Sequence, residues 1–277
     1  MKKNINKPKI LVLSNLKNST INILKSTISL AKMVDGDIQF FYVKKPTEIV
    51  EKDNQLSANR AINQEHNVIE NKIQNLINPI SKDYGVSINY SYSFGNVKNE
   101  IDKYITEHQP DIIVLGKKQS NSLSFIGDNI TAFILKKYPG IVMIADNQNY
   151  LEPNKELSLG LLNNIEPSVN KDLLEHLISY TQEPIKSFKI IKNSNTFKET
   201  DITSDKKTIE YVFEHNDNTI KNLSNYLSIN NINLLYMDRG NKNSKSKKRL
   251  LKSEINEVLK NLNVSLLLTG NREYNVA

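Results

Sequence analysis

INYSYSFGNVKNEIDKYITEHQPDIIVLG, residues 88–116, has a counterpart in IEYVFEHNDNTIKNLSNYLSINNINLLYMD, residues 209–238. From Val97 onward, with an offset of 122 residues, Ile101 meets Leu223, Tyr104 meets Tyr226, Ile105 meets Leu227, and Ile112–Ile113 meets Leu234–Leu235. Upstream, KILVLSN at 9–15 matches SLGLLNN at 158–164, and QFFYVKK at 39–45 matches KSFKIIK at 186–192. The chain contains one unit twice. A two-copy chain needs a joint, and the polar stretch DNQNYLEPNKE at 146–156 supplies one.

Within the first copy, short apolar runs of strand length lie near 9–14, 37–43, 86–92, 111–115 and 141–145. Between them run longer segments with apolar residues three and four apart, such as Ile21, Leu24, Ile28 and Ala31, or Ile69, Ile73, Leu76 and Ile77. That spacing marks one face of a helix. Asn96 is placed to cap the helix carrying Ile101 and Ile105, and Pro110 stops it before the next strand. Strands that alternate with helices and show little polar alternation indicate a parallel sheet covered on both faces. The second copy is shorter. Between its second and third strands lie only the 14 residues NSNTFKETDITSDK, 193–206, where the first copy has Pro46 to Gly85. A parallel crossover needs about a dozen residues or more, so this one has little room for a helix and should leave one sheet face thinly covered.

A chain of 277 residues with 38% hydrophobic content can bury a sizeable core. It has no cysteine, which excludes disulfides, thiol catalysis and cysteine-ligated zinc. His66, His108, His176 and His215 are dispersed, with no H-x-H or H-E-x-x-H spacing, and the three in predicted helices read as surface or helix-end residues. The formal charge of +7 is concentrated in NKNSKSKKRLLK, residues 241–252, where six side chains are basic and none acidic. No aromatic residue interleaves those charges for base stacking, so a solvated loop is favoured over a nucleic-acid or membrane-surface site. The basic N-terminus has an apolar run, Ile10 to Leu13, too short for a signal-peptide core, and no stretch approaches bilayer length. A cytoplasmic protein is expected.

The segments KILVLSN, FFYVKK, HQPDIIVLGKK and ILKKYPGIVMIADN, in this order, resemble a universal stress protein domain. The resemblance covers residues 8–147 and, more faintly, 157–270. It implies two tandem Rossmann-like domains of the adenine nucleotide alpha hydrolase-like kind, each a five-stranded parallel sheet of order 3-2-1-4-5 flanked by helices. Domain 1 would span 1–147, a linker 148–156, and a degenerate domain 2 would span 157–277, without most of the helix between its strands 2 and 3. The resemblance also implies pairing through the fifth strands, Ile141, Val142, Met143 and Ile144 with Val264, Ser265, Leu266 and Leu267. These would otherwise be exposed apolar edges. Whether two such chains form a homodimer stays open.

Nucleotide-binding members of that family carry G-x2-G-x9-G-[ST] after strand four, where glycines admit phosphate to backbone N–H groups. In DIIVLGKKQSNSLSFIGDN, residues 111–129, Gly116 fits the first position, Gln119 replaces the second glycine, and Gly127 comes two residues early. Asp128 stands where Ser or Thr is expected, placed to cap a helix beginning near Asn129 and so to occupy donors that a phosphate needs. Lys117 and Lys118 could offset that charge. Asn15 aligns with the aspartate that ATP-binding members present at the end of strand one, and Val43 with the residue whose backbone meets adenine. In the second copy Asp238 stands at the place of Gly116, Asn164 matches Asn15, and the loop has Gly240 alone.

The leading reading is a non-catalytic stress-response binding or signalling module with a degenerate nucleotide loop. The alternative keeps ATP or another small molecule in the domain 1 crevice lined by Asn15, Val43, Gly116, Gln119 and Asp128, where a neutral or cationic ligand suits Asp128 better than an anion. An enzyme is disfavoured: SNLKNST, residues 14–20, lacks the glycine-rich phosphate loop of adenylating enzymes, and turn chemistry explains Asp35 and Asp37 around Gly36.

Overall fold

The computed structural model describes residues 7–46, 55–117, 130–163, 170–181, 184–191, 207–239 and 252–270. In chain order the first half runs β1 (Lys9–Leu13), α1 (Thr20–Val34), β2 (Asp37–Lys44), α2 (Gln55–Tyr84), β3 (Ile88–Phe94), α3 (Val97–His108), β4 (Ile112–Gly116), α4 (Ile130–Lys137) and β5 (Ile141–Ala145). The second half runs β6 (Leu159–Leu162), α5 (Lys171–Tyr180), β7 (Ile185–Ile191), β8 (Thr208–Glu214), α6 (Thr219–Ile229), β9 (Leu234–Asp238), α7 (Lys252–Asn261) and β10 (Ser265–Thr269). All ten strands share one sheet of order β3-β2-β1-β4-β5-β10-β9-β6-β7-β8. Each half therefore has the order 3-2-1-4-5, and the halves meet at β5 and β10.

That meeting is antiparallel, with Leu266 opposite Ile144, Leu267 opposite Met143 and Leu268 opposite Val142; the other neighbouring strands are parallel. The register lies one residue beyond the set read from sequence, taking in Leu268 and leaving out Val264. Ser265 serves the seam through its hydroxyl instead, accepting from the Asp146 amide at 3.1 Å and donating to the Asn149 carbonyl at 3.2 Å.

Alternation along each strand divides the core into two layers. Ile10, Val12, Phe40 and Met143 face α1 and α2, while Leu11, Leu13, Phe41 and Val142 face α3 and α4. Both layers continue across the seam: Leu161, Tyr236 and Leu267 join the first, and Leu235, Met237 and Leu266 the second. α1 also packs on α5, so each half's first helix meets the other's. In α1 the buried row is Ile23, Leu24, Ile28 and Ala31, whereas Ile21 is exposed; the apolar stripe begins two residues later than its sequence suggested.

Asn96 caps α3 as expected, accepting from the amides of Lys98 and Asn99 at 3.2 Å each, and Gln109 turns the chain out in the left-handed region ahead of Pro110. β3 starts at Ile88, later than the run of apolar residues suggested, because Gly85 ends α2 at φ 63° and the Val86 amide closes back on the Ser81 carbonyl. The polar joint is packed against the first half. Leu151 is buried and its amide donates to Ser26 Oγ at 3.0 Å, while Asp146 Oδ1 accepts from the amides of Gln148 and Asn149 at 2.9 Å each. The short crossover between β7 and β8 lies at 192–206, outside the described residues.

Candidate functional site

In a doubly wound sheet the ligand crevice opens at the carboxyl ends of the strands where the order reverses, here beyond β1 and β4. Asn15 is exposed there, its Oδ1 accepting from the Lys17 amide at 3.3 Å. Behind it Ser14 and Thr20 share a hydroxyl hydrogen bond of 2.7 Å, which ties the end of β1 to the first turn of α1. Val43 is half-buried on the α3 side of β2, packed against the core. Lys118, Gln119, Gly127, Asp128 and Asn129 lie outside the described residues, as does most of the basic segment 241–252. The structure therefore brings Asn15, Gly116 and Lys117 to the rim of the crevice.

Gly116 has a packing reason to be glycine. A Cβ built there would lie 2.4 Å from Ile23 Cδ1 on α1, too close for any side chain without a shift of Ile23. A side chain at this position would displace the tip of Ile23.

Lys117 is drawn away from the crevice. Its Nζ donates to the Leu262 carbonyl just past the end of α7, lies 3.5 Å from Asn263 Oδ1, and pairs with Asp146 Oδ2 at 3.5 Å. Only 13% of the Lys117 side chain and 7% of the Asp146 side chain are exposed, so the ammonium is enclosed by protein groups. The backbone is held too: the Lys117 amide donates to the Ala145 carbonyl at 2.8 Å, and its carbonyl accepts from Asn147 Nδ2 at 3.1 Å. Asn147 in turn accepts from Asn22 Nδ2 through its carbonyl at 2.8 Å, and its own Oδ1 is buried without a hydrogen-bond partner.

The second half makes the same move in reverse. Arg239, next after β9 as Lys117 is next after β4, donates from Nη1 to the Leu135 carbonyl at 3.1 Å and from Nη2 to the Tyr138 carbonyl at 3.2 Å and to the Gly140 carbonyl. Its amide meets the Thr269 carbonyl on β10, as that of Lys117 meets Ala145 on β5. Each cation therefore sits at the carboxyl end of the other half's last helix, where free carbonyls and the helix dipole favour positive charge. Burial lowers the Arg239 pKa to about 10, so it remains charged at neutral pH. Residue type hinted at a charged loop, but a partner 145 residues away has no local signature in the sequence.

Among the described residues no group of three or more His, Asp or Glu is placed to hold a metal, and no helix is long and apolar enough to cross a membrane. His66 bonds the Tyr92 hydroxyl at 3.1 Å and His108 stacks on Tyr104 at 3.8 Å.

Residues 8–145 match the family model described as the universal stress protein family, and the second half lies outside that match. In fold, the whole chain is similar to a universal stress protein from Archaeoglobus fulgidus DSM 4304, with a TM-score of 0.64, 12% identity, and 95% of this chain and 98% of that one covered. It is likewise similar to a functionally unknown protein from Pseudomonas aeruginosa PAO1, with a TM-score of 0.54, 11% identity, and 95% and 92% covered. No curated protein matches the chain by sequence.

Proposed function

Because the chain belongs to the universal stress protein family through residues 8–145, we propose that it acts as a non-catalytic stress-response binding or signalling module whose nucleotide loop has decayed. The observation that carries this reading is the commitment of Lys117. Of the two residues described at the start of the loop after β4, Lys117 carries the positive charge, and its ammonium is spent on Leu262 and Asp146 across the seam. Gly116, the other loop residue described, packs close to the tip of Ile23. In this reading residues 1–147 and 157–277 are two domains joined by 148–156, the second without most of the helix between its second and third strands. They work as a pseudo-dimer in the cytoplasm.

A second reading keeps a small molecule in the crevice, and the partnerless Asn147 Oδ1 supports it, since a buried acceptor beside Lys117 invites a donor. A neutral or cationic ligand would suit it better than an anion. Calorimetric titration with ATP and Mg²⁺, on the native chain and on Asp128→Ser, separates the readings. The expected result is no heat of binding in either. Binding by the native chain would overturn the decayed loop, and binding gained only in the variant would favour a retained pocket blocked by one carboxylate.

A further inference from the structure

A cleft of about 430 Å³ opens between α3 and the strands β2 and β3. Gln39, Phe41, Ser91 and Ser93 line its sheet side, and Glu100, Lys103, Tyr104, Glu107 and His108 its helix side. The volume is within the range that holds small organic ligands.

The cleft exists because of two serines. Sheet register places Ser91 opposite Phe41 in the first half and Tyr211 opposite Phe188 in the second, so Ser91 and Ser93 correspond to Tyr211 and Phe213. In the second half those rings fill the space: Tyr211 meets Tyr226 at 4.5 Å and Phe188 at 5.7 Å, and Phe213 meets Tyr226 at 6.1 Å. Tyr226 corresponds to Tyr104, so the same aromatic floor is plugged in one half and open in the other. In the first half that floor is a stacked column, Phe41 on Tyr104 at 4.1 Å and Tyr104 on His108 at 3.8 Å.

The polar groups around this floor favour a cation. Glu100 accepts from Ser93 Oγ at 2.7 Å through Oε2, and Gln39 Nε2 donates to Ser91 Oγ at 3.2 Å. The amino terminus of α3 offers an anion little, because Asn96 already takes the amides of Lys98 and Asn99 and Glu100 lies in the first turn. Glu100 and Glu107, seven residues apart, fall on one helix face about 10.5 Å apart along the axis. Against those two carboxylates the lining carries one lysine, Lys103, exposed on the rim.

We propose that this cleft binds a linear aliphatic polyamine, with one terminal ammonium at Glu100 beside Ser93, the other at Glu107, and the methylene chain along the Phe41–Tyr104–His108 column. Charge-assisted hydrogen bonds at both ends would fix its length and direction.

The test is titration of the native chain with spermidine at low salt, beside Glu100→Gln and the double variant Ser91→Tyr/Ser93→Phe, which copies the second half into the first. Spermidine is expected to bind the native chain, with a loss of about tenfold or more in each variant. The Glu100 variant keeps an acceptor for Ser93, so it also guards against misfolding of the double variant. No binding to the native chain, or binding that both variants leave unchanged, would overturn the proposal. So would equal affinity for a monoamine of the same carbon length, which cannot use both carboxylates.

Discussion

The third strand of each half faces the opposite way in chemistry. On the α1–α2 side the first half presents Phe40, Tyr42, Tyr90, Tyr92 and Phe94, packed against the core. At the same register the second half presents Ser187, Lys189, Glu210, Val212 and Glu214. There Lys189 pairs with Glu210 at 2.5 Å, and Val212 is exposed. On the other side the pattern inverts, with Ser91 and Ser93 in β3 against Tyr211 and Phe213 in β8. A long helix, α2, covers the aromatic face of the first half, whereas the second half has only a short crossover in sequence. Where the first half stacks aromatic rings, the second half thus buries a hydroxyl, Ser187, and the ammonium of an ion pair, Lys189. One fold thus tolerates two distributions of polarity on the same face of its sheet.

The largest test of that contrast is Phe40→Ala against Ser187→Ala. Phe40 is fully buried beneath the helical layer, and its truncation should cost about 4 kcal/mol in urea unfolding. Ser187 is equally buried but small, and its change should stay within about 1 kcal/mol. Comparable losses would mean that the two faces contribute alike. A finer test concerns the exchanged cations at the seam. Arg239→Ala strips three carbonyls of their donor and should cost about 3 kcal/mol, with Lys117→Ala costing about half as much because it has fewer close contacts. If the two losses are additive in the double variant, the contacts act separately, which thermal melting of all three proteins would show. The smallest effect concerns the aligned helices α3 and α6. Asn96→Ala removes a cap and should lower stability by about 1 kcal/mol, whereas Asn218 caps nothing with its side chain and Asn218→Ala should shift it by less than about 0.5 kcal/mol.

Much of the fold was legible because its signals are local. The repeat, the apolar rows of the helices, the strand-length runs and the Asn96 cap each depend on residues a few positions apart. Boundaries moved where a single backbone conformation decided them, as at Gly85 before β3. The joint read as a polar spacer, yet Leu151 within it is buried under a bond from Ser26. The candidate crevice was legible as a position and less so in chemistry. Lys117 read as a loop charge able to offset Asp128, because sequence shows its charge without showing which carbonyl stands nearby. The cleft beside α3 left one trace, the serines at 91 and 93 in the places that aromatic residues take at 211 and 213, which gains meaning only when strand register aligns the two halves.

By itself the sequence determined that a βα unit occurs twice, that its central strands are buried on both faces, and that Gln119 and Asp128 stand where the family pattern has a glycine and a hydroxyl residue. These follow from periodicity, capping and glycine placement, which act within a turn or a strand. The tertiary structure decided where Lys117 and Arg239 spend their charge and which half keeps an open cleft. Both depend on contacts that the antiparallel β5–β10 seam and the strand register create between residues far apart in the chain.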